Sequence, residues 1–391
     1  MREYVVKAPH ELTKSERAAW ISLRAENPAL YSPYFHPAYT EKLARLRPDV
    51  YVLVATDNTT PFAFLPFQSL NAKGFGRPVG APLTDYHGFI CKADADFDPA
   101  DLLRETGLGV FHFSTLIDTN SKMSAYMLET TECTMMDIKD GADVWRETRD
   151  GSYRRHLKSH RRRVRKSEEE IGARRFEFSS SDPEVFETLI RWKREKFEET
   201  GKYDVLSVDW TLGFLKQLWE DQDSELRTEM HALYFGDRLA AIDLGLTDGV
   251  TFHSWIVAYE NEFSTFAPGI QLLEGLIDEA QNLGIKRIDL GSGTDGYKRQ
   301  YATESVHVGS GFVAVKGPAA ALSKFYAAAE NLGKNLSEDA PIASLGKIPG
   351  KLRRRYSQIA ACEDSFSGRA KAMFSAVKTH SKSDMPKSET G

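Results

Sequence analysis

The stretch MHALYFGDRLAAIDLGLTDGVTFHSWIVAYENEFSTFAPGIQLLEGLIDEAQNLGIKRIDLGSGTDGYK, residues 230–298, decides the fold of this chain of 391 residues. It contains three apolar runs, at residues 230–235, 239–247 and 250–258. The last two are separated by Asp248-Gly249, a strong hairpin signal because both residues tolerate positive φ. The pattern therefore predicts three consecutive strands.

A helix is expected after the third strand, and Ala267-Pro268-Gly269 marks its start. The apolar side chains that follow have the spacing of one buried helix face; they are Ile270, Leu272, Leu273, Leu276, Ile277 and Ala280. Gly284 should end the helix, and residues 285–290 should form the next strand. The unpaired amides and partial positive charge of a helix start make it a ready seat for a pyrophosphate.

Three parts of the chain resemble a known enzyme family. They are the basic segment leading into Ile171-Gly172-Ala173, the segment from His253-Ser254-Trp255 to Ala267-Pro268-Gly269, and the segment from Ile288-Asp289-Leu290-Gly291 to Tyr297-Lys298. On these residues, the region 153–315 resembles the GNAT acyltransferase superfamily, and within it the CelD-like branch associated with cellulose and exopolysaccharide synthesis. That branch is itself similar to the Fem-type peptidoglycan aminoacyltransferases.

The resemblance implies a site for coenzyme A, with acetyl-CoA or another acyl-CoA as the donor substrate. The residues expected to hold the donor are Ala267, Gly269, Ile270 and Lys298, although Lys298 could instead be an ordinary surface lysine. The usual GNAT pyrophosphate loop has the form Gln/Arg-x-x-Gly-x-Gly/Ala, whereas residues 263–269 read FSTFAPG. Coenzyme A binding is therefore implied by the family's fold and is not shown by the motif.

Acyl transfer to a hydroxyl or amine needs a base for the acceptor proton and donors for the developing oxyanion. His253 is the first candidate for the base, and a hydrogen-bonded core histidine is the alternative. Asp243 interrupts an apolar run, where a carboxylate is costly to bury without a partner. It either pairs with His253 on the adjacent strand or satisfies a local turn or backbone group. Tyr297 is the candidate general acid for the departing thiolate, as tyrosines often are in the superfamily, or it packs under the loop.

Candidate substrate-binding residues lie in the same region. Asp289 and Asp295 flank a glycine-rich loop after a strand, where the chain can approach a ligand closely, and Ser292 lies within that loop. Trp255 lies on the same strand face as His253, because side chains alternate along a strand. These four residues are expected to contact the acceptor.

The composition is that of a soluble enzyme, with 41% hydrophobic and 27% charged residues. The net charge of -5 does not call for nucleic acid. Cys91, Cys133 and Cys362 show neither metal-ligand nor redox spacing, so no metal site is predicted and a reducing cytoplasm is the simplest location. The N-terminus lacks an apolar signal core, and no apolar run is long enough to cross a bilayer.

The strand, turn, strand order of residues 230–247 also occurs, in pattern and not in identity, at residues 51–67. We therefore expect an α/β (α+β) protein with tandem GNAT-like lobes, each with a mixed central sheet flanked by helices, as in the Fem-type relatives. Chance similarity is the competing explanation. The expected divisions are an N-terminal GNAT-like lobe at 1–140, a C-terminal GNAT acyltransferase lobe at 150–316, a helical extension at 317–378 and a disordered tail at 379–391.

The strongest charge run lies between the two expected lobes, where arginines and lysines from residue 154 to residue 166 precede three glutamates. Leu157, Val164 and Ile171 recur every seven residues and give a narrow apolar stripe on a basic helix. Either this helix docks by the stripe and faces water, or it guides an anionic substrate such as a nucleotide sugar, a lipid-linked phosphate or a transfer RNA.

The basic cluster at residues 351–355 and the lysines of the tail could promote peripheral contact with an acidic membrane, although a solvated extension is the default.

Three functions follow from this sequence. The leading hypothesis is an acyltransferase that moves an acyl group from acyl-CoA to a sugar or other precursor in polysaccharide biosynthesis. The first alternative is a Fem-type aminoacyltransferase that uses aminoacyl-tRNA. The second alternative is a noncatalytic GNAT-like lobe that binds a biosynthetic partner or a regulatory ligand.

Overall fold

The computed structural model describes residues 1–69, 74–221, 225–293 and 296–334, together with Ile359 and Cys362. The strands are β1 (Arg2–Lys7), β2 (Val50–Asp57), β3 (Thr60–Gln68), β4 (Phe75–Pro78), β5 (Ile90–Cys91), β6 (Val110–Ile117), β7 (Met127–Asp137), β8 (Arg174–Glu177), β9 (Arg227–Phe235), β10 (Arg238–Thr247), β11 (Thr251–Tyr259), β12 (Arg287–Ser292) and β13 (Glu304–Ala314). The helices are α1 (Lys14–Glu26), α2 (Pro37–Ala44), α3 (Pro99–Glu105), α4 (Ala142–Glu147), α5 (Gly151–Glu170), α6 (Pro183–Glu199), α7 (Asp209–Glu220), α8 (Pro268–Glu279), α9 (Gly296–Tyr301) and α10 (Gly317–Lys334).

The elements predicted between residues 230 and 290 are present in the predicted order. The three apolar runs form β9, β10 and β11, the periodic segment forms α8, and the last run forms β12. Antiparallel pairing joins β9 to β10 and β10 to β11, as their short turns require. α8 begins with Pro268 at its first position, where a missing N–H costs nothing.

The strands form one mixed sheet of 13 strands within the described part of the chain. Its order is β1-β2-β3-β4-β6-β13-β7-β12-β11-β10-β9-β8, and β5 pairs with β3 beside this path. The pairs β4–β6 and β11–β12 are parallel, and the other pairs along the path are antiparallel. The predicted α/β class, with a mixed central sheet flanked by helices, is confirmed.

Each half of the chain contributes one strand to the sheet of the other half. β7, from the first half, lies beside β12, whereas β13, from the second half, lies beside β6. β7 and β13 pair with each other at the centre. Outward from this centre, both directions run through an antiparallel pair, a parallel pair and then antiparallel strands. The two halves thus repeat one arrangement, while the expected division near residue 140 stays a prediction.

Helices cover both faces of the sheet. On one face Ile242, Leu244 and Leu246 of β10 belong to an apolar cluster that also contains residues of α1, α2, α6 and α7. On the other face α8 packs over Ala241 of the same strand and over Phe252 of β11. Because side chains alternate along a strand, these two sets of residues point in opposite directions. The active-site candidates lie on strands enclosed in this way.

The C-terminal part of the described chain packs back on the first half. His112 of β6 and Ser323 of α10 form a hydrogen bond of 2.9 Å between their side chains. The predicted tail at 379–391, the basic cluster at 351–355 and most of the predicted extension beyond Lys334 lie outside the described residues. Over the residues that are described, no helix has the length and apolar content of a membrane span.

Candidate active site

The second half of the sheet opens into a fork between β11 and β12. These two strands pair in parallel at Thr251 with Arg287, at Phe252 with Ile288 and at His253 with Asp289. Beyond that last pair β11 continues along β10, while β12 continues along β7. His253 and Asp289 therefore lie where the two strands separate, and from there on none of the described strands pairs with the edge of β11 that faces the fork.

The imidazole of His253 is buried between two carboxylates. Its Nε2 lies 2.8 Å from Asp85 Oδ2, and its Nδ1 lies 3.5 Å from Asp289 Oδ1. Burial alone would lower the pKa of His253, but the two carboxylates outweigh it and raise this pKa to about 10. At neutral pH the side chain is therefore an imidazolium whose two N–H groups both face anions.

Asp289 is a buried carboxylate that accepts three hydrogen bonds from other groups of the protein. Its oxygens accept hydrogen bonds from the hydroxyls of Tyr31 and Tyr86, each at 2.9 Å, and from the Gly291 amide at 2.8 Å. Burial would raise the pKa of Asp289, but the charge of His253 and these hydrogen bonds hold it below the usual value. Asp289 was predicted to contact substrate, and the structure places it behind His253 and enclosed by tyrosines.

Asp85 is the member of this cluster that reaches solvent. Its side chain is 39% exposed, whereas the side chains of His253 and Asp289 are fully buried. The Tyr34 ring packs edge-on against the His253 ring, with centroids 5.1 Å apart. Asp85 and Tyr34 come from the first half of the chain and His253 and Asp289 from the second, so both halves build the cluster.

Gly291 allows the chain to pass close to the imidazole. Its φ is +71°, in the left-handed region, and a Cβ at this position would lie 3.8 Å from His253 Cε1. A side chain would thus be strained by the backbone conformation, while its Cβ would make ordinary van der Waals contact with the histidine. The glycine that the sequence places after Asp289 is required here by geometry.

Trp255 shares the face of His253, as strand parity predicts. Tyr34 contacts both rings, and its centroid lies 5.9 Å from that of Trp255. The Trp255 indole N–H donates to the Leu83 carbonyl at 2.9 Å, which ties β11 to the segment that carries Asp85. Its role in substrate binding stays a prediction.

Asp243 does not pair with His253. Its Oδ2 accepts a hydrogen bond of 2.6 Å from the Ser254 hydroxyl, and its carboxylate is buried. Burial raises the pKa of Asp243 to about 6. Strand register explains the choice of partner, because Ser254 points to the opposite face from His253. Asp243 is therefore hydrogen-bonded to the side chain of Ser254, which is neither of the two predicted alternatives.

The start of α8 is predicted to bind the donor pyrophosphate, but two of its amide groups are already hydrogen-bonded within the protein. The amides of Ile270 and Gln271 both donate to the Ala267 carbonyl, at 3.1 and 3.2 Å, and Pro268 has no N–H. Within the described chain, Gly269 then supplies the first-turn amide that is left for an anion. Gly269 lies beside the free edge of β11, since its added Cβ would be 4.0 Å from Val257 Cγ1.

Lys193 of α6 lies at the same edge. Its ammonium donates to the Val257 carbonyl at 3.3 Å, and burial lowers its pKa. A cavity of about 90 Å³ is bounded by Lys193 and by Val257, Ala258 and Tyr259 at the end of β11. The Lys193 side chain and a small cavity therefore lie along the edge of β11 on the side of α6.

The remaining residues that were predicted for the site lie at the end of β12 or shortly after it. Lys298 donates to the carbonyls of Leu290 and Ser292 at 2.8 and 2.9 Å, so its ammonium holds the end of that strand. Tyr297 packs against Tyr301, with ring centroids 6.3 Å apart. Ser292 is exposed. Asp295 lies outside the described residues.

The basic helix α5 docks by a wider stripe than the one predicted. Tyr153, His160 and Ser167 are buried, and they alternate with the half-buried Leu157 and Val164. The Tyr153 hydroxyl also donates to the buried carboxylate of Glu274 at 3.0 Å. Seven basic side chains of α5 remain exposed, namely Arg154, Arg155, Lys158, Arg161, Arg162, Arg165 and Lys166. The helix is both docked and strongly basic on its outer side.

A cavity of about 620 Å³ lies elsewhere in the second half. It is lined in part by Ser179, Arg227 and Glu229, and by Asn282 and Leu283 just after α8 ends. It is therefore at the opposite end of α8 from Gly269. Among the described residues, no three His, Cys, Asp or Glu side chains are grouped as metal ligands would be.

Sequence reasoning missed Asp85, Tyr31, Tyr86 and Lys193. The first three lie outside regular strands and helices, where no periodicity marks them. The one available signal was an aspartate within a Pro- and Gly-containing stretch of the first half, and such stretches often carry functional residues.

Comparison with known proteins shows a similarity within the second half of the chain. Residues 153–299 match the family model described as an acetyltransferase (GNAT) domain. No curated protein matches the sequence.

Among solved structures, FemX is similar at 10% identity and a TM-score of 0.48, covering 79% of this chain and 96% of that one. A tandem GNAT protein from the clavulanic acid biosynthesis pathway is similar at 10% identity and 0.46, covering 81% and 99%. L-PGS from Bacillus licheniformis is similar at 10% identity and 0.37, covering 80% and 95%. The family match shows that residues 153–299 are similar to a GNAT acetyltransferase domain.

Proposed function

We propose that this protein is an acyltransferase that moves an acyl group, an acetyl group in the simplest case, from acyl-CoA to a sugar or other precursor in polysaccharide biosynthesis. One observation carries the proposal: β11 and β12 separate directly beyond His253 and Asp289, within the segment that matches the GNAT family model. A thioester in this fork would lie beside a charged, preorganised cluster. The choice of a polysaccharide precursor as the acceptor rests on the sequence resemblance alone.

The donor would enter along the free edge of β11. In this proposal the Gly269 amide and the start of α8 receive the pyrophosphate, because a helix start favours anions. Lys193 lies at the same edge and adds a positive charge. Ala267 and Ile270 shape the turn, and Lys298 holds the end of β12.

The reaction needs a nucleophile from the acceptor, a proton acceptor and a leaving thiolate. We propose that the cluster of His253, Asp289 and Asp85 is the catalytic centre, because it combines buried charge with one solvent-facing carboxylate. Tyr297 remains our candidate for protonating the thiolate. Asp243 is proposed to support β11 through Ser254.

The acceptor would approach from the side built by the first half of the chain. We propose Trp255 and Ser292 as acceptor contacts and Asp289 as a residue that positions His253. A first lobe at residues 1–140 would then shape the acceptor groove, and a second at 150–316 would hold the donor. We expect the reaction to take place in the cytoplasm on precursors of the polymer.

Calorimetry with coenzyme A and acetyl-CoA tests the donor assignment. We expect both to bind to the purified protein, and Gly269→Asp to weaken binding at least tenfold, because the new carboxylate would face the pyrophosphate. Gly213→Asp is the matched control, since a Cβ at Gly213 on α7 meets open space. Binding that is absent in the unaltered protein, or equal in both variants, would contradict the proposed donor site.

His253→Ala tests the catalytic centre separately. Turnover should fall strongly while donor affinity stays nearly constant, because His253 lies at the fork and not at the start of α8. Unchanged turnover would remove His253 from the catalytic centre.

A Fem-type aminoacyltransferase is the alternative that a specific observation favours. The seven exposed basic side chains of α5 form a surface suited to a phosphate backbone. Salt-sensitive binding of tRNA without coenzyme A binding would support this alternative. Binding of neither ligand would favour a noncatalytic GNAT-like protein.

A further inference from the structure

The cluster at the fork has an order that the sequence did not predict. Asp289 is innermost, His253 is in the middle and Asp85 is outermost. His253 Nε2 forms a hydrogen bond of 2.8 Å with Asp85 Oδ2, whereas His253 Nδ1 lies 3.5 Å from Asp289 Oδ1, an ion-pair distance without a hydrogen bond. A buried carboxylate, a buried imidazole and a solvent-facing carboxylate thus lie in one line.

We propose that Asp85 is the catalytic base and that His253 is a positioning residue that remains protonated. This assignment rests on the proposed acyl transfer. It replaces the expectation that His253 takes the proton. The geometry carries it, because both ring nitrogens of His253 face carboxylates and neither is free to receive a proton from an acceptor.

The surroundings of the imidazole leave no other approach for an acceptor. The rings of Tyr34 and Tyr86 pack edge-on against it at centroid distances of 5.1 and 5.4 Å. A Cβ added at Gly291 would lie 3.8 Å from its Cε1, so the chain passes beside the ring there. The side chain of His253 is fully buried, whereas that of Asp85 is 39% exposed. A substrate can therefore reach Asp85 without displacing any part of the cluster.

Asp289 and its tyrosines keep His253 charged and fixed. The hydroxyls of Tyr31 and Tyr86 donate to Asp289, and the Gly291 amide adds a third hydrogen bond. A carboxylate stabilised in this way remains an anion and attracts the proton on His253 Nδ1. The second N–H, on Nε2, then fixes Asp85 with one oxygen toward the imidazole.

The chemical step balances with these groups. The lone pair of the acceptor oxygen or nitrogen attacks the thioester carbonyl carbon and forms the new acyl bond, while the carbon–sulfur bond breaks and the thiolate leaves. The acceptor proton moves to a carboxylate oxygen of Asp85. It then passes to the solvent or to the thiolate, which restores the Asp85 anion.

Acetyl-CoA turnover with water as the acceptor, followed by release of the coenzyme A thiol, tests the assignment on the full-length protein. A general base contributes about 100- to 10,000-fold to a rate, so Asp85→Asn should lower kcat by about 100-fold or more and leave coenzyme A affinity within about twofold. Asp94→Asn, a change at an exposed aspartate of the same half, is the matched control and should match the unaltered protein.

Chemical rescue separates a base from a structural carboxylate. Formate or acetate should restore part of the turnover of Asp85→Ala, because a small carboxylate can occupy the vacated place. No rescue of Asp85→Ala by either carboxylate, or Asp85→Asn turnover within about fivefold of the unaltered protein, would overturn the assignment.

Nitrogen NMR of the labelled His253 ring gives a readout that needs no turnover. Both ring nitrogens should be protonated at pH 7, and the pKa of His253 should fall in Asp85→Asn. A neutral imidazole at pH 7 would overturn the assignment even if acetyl-CoA is turned over. Failure of the unaltered protein to bind coenzyme A is a different result: it would end the acyl transfer proposal, and this assignment with it.

Discussion

The proton on His253 should make the stability of the fold depend on pH in a defined window. The pKa of His253 is raised to about 10 in the folded protein, against 6.5 for an ordinary imidazole. A group whose pKa is higher in the folded state stabilises it fully below the unfolded pKa, and this contribution is lost as the pH rises through the folded pKa. The relevant window is therefore between about pH 6.5 and 10.

The size of the effect follows from the two proton affinities. Each tenfold difference is worth about 1.4 kcal/mol, so the bound proton contributes on the order of 5 kcal/mol to the free energy of unfolding when fully present. About 3 kcal/mol of this should be lost between pH 6.5 and 9, because much of the folded protein is still protonated at pH 9. Such a loss is a large part of the stability of an ordinary domain.

Urea unfolding of the unaltered protein and of His253→Gln at several pH values measures this contribution. The variant should be less stable at pH 6.5, and the difference between the two proteins should shrink by about 3 kcal/mol by pH 9. Taking the difference removes the other groups that titrate in this range. Parallel curves over this window would refute the account of a protonated His253 held between two carboxylates.

His87→Gln is the matched control. His87 is also buried, but its Nε2 faces the Ser114 carbonyl at 2.6 Å, and burial lowers its pKa to about 3. A lowered pKa contributes stability that is present above the unfolded value of 6.5 and is lost as the pH falls toward 3. The His87 variant should therefore change the free energy of unfolding by a constant amount between pH 6.5 and 9.

Three further variants probe the packing around the site. Gly291→Ala should destabilise the fold by about 1–3 kcal/mol, because alanine is strained in the left-handed backbone conformation of Gly291; thermal unfolding measures this, and an unchanged midpoint would contradict the strain. Tyr31→Phe should cost about 1.5–3 kcal/mol in urea unfolding, because it removes a hydrogen bond to the anionic Asp289; a smaller loss would mean that Asp289 is well satisfied without it. Glu274→Ala should cost about 3–5 kcal/mol, because two tyrosine hydroxyls and an arginine lose a buried partner; limited proteolysis should then cut α5 sooner, and equal cleavage rates would show that α5 is held by other contacts.

Local patterns were sufficient to predict much of the second half. The strands β9 to β12 and the helix α8 follow from the spacing of their apolar residues and from turn residues between them. The stripe on α5 was predicted only in part, because His160 and Ser167 are polar and yet buried. An analysis of apolar spacing alone does not predict which polar side chains are buried.

The partner of Asp243 shows a second limit. The sequence left two alternatives for this carboxylate, His253 on the adjacent strand or a local turn or backbone group, but the register brings Ser254 to the face of Asp243 and His253 to the other face. A register is decided by the packing of a whole strand and its turns. One polar residue in an apolar run therefore indicated that a partner exists, without indicating which one.

The amino-acid sequence by itself determined the element order of the second half and the placing of His253 and Asp289 on two of its strands, since both depend on near neighbours along the chain. Only the tertiary structure brought Asp85 and Tyr86 to them, across separations of 168 and 203 residues. The pairing of β7 with β13 joins the two halves in one sheet. Contacts between distant segments are decided by how surfaces pack, and no local periodicity records them.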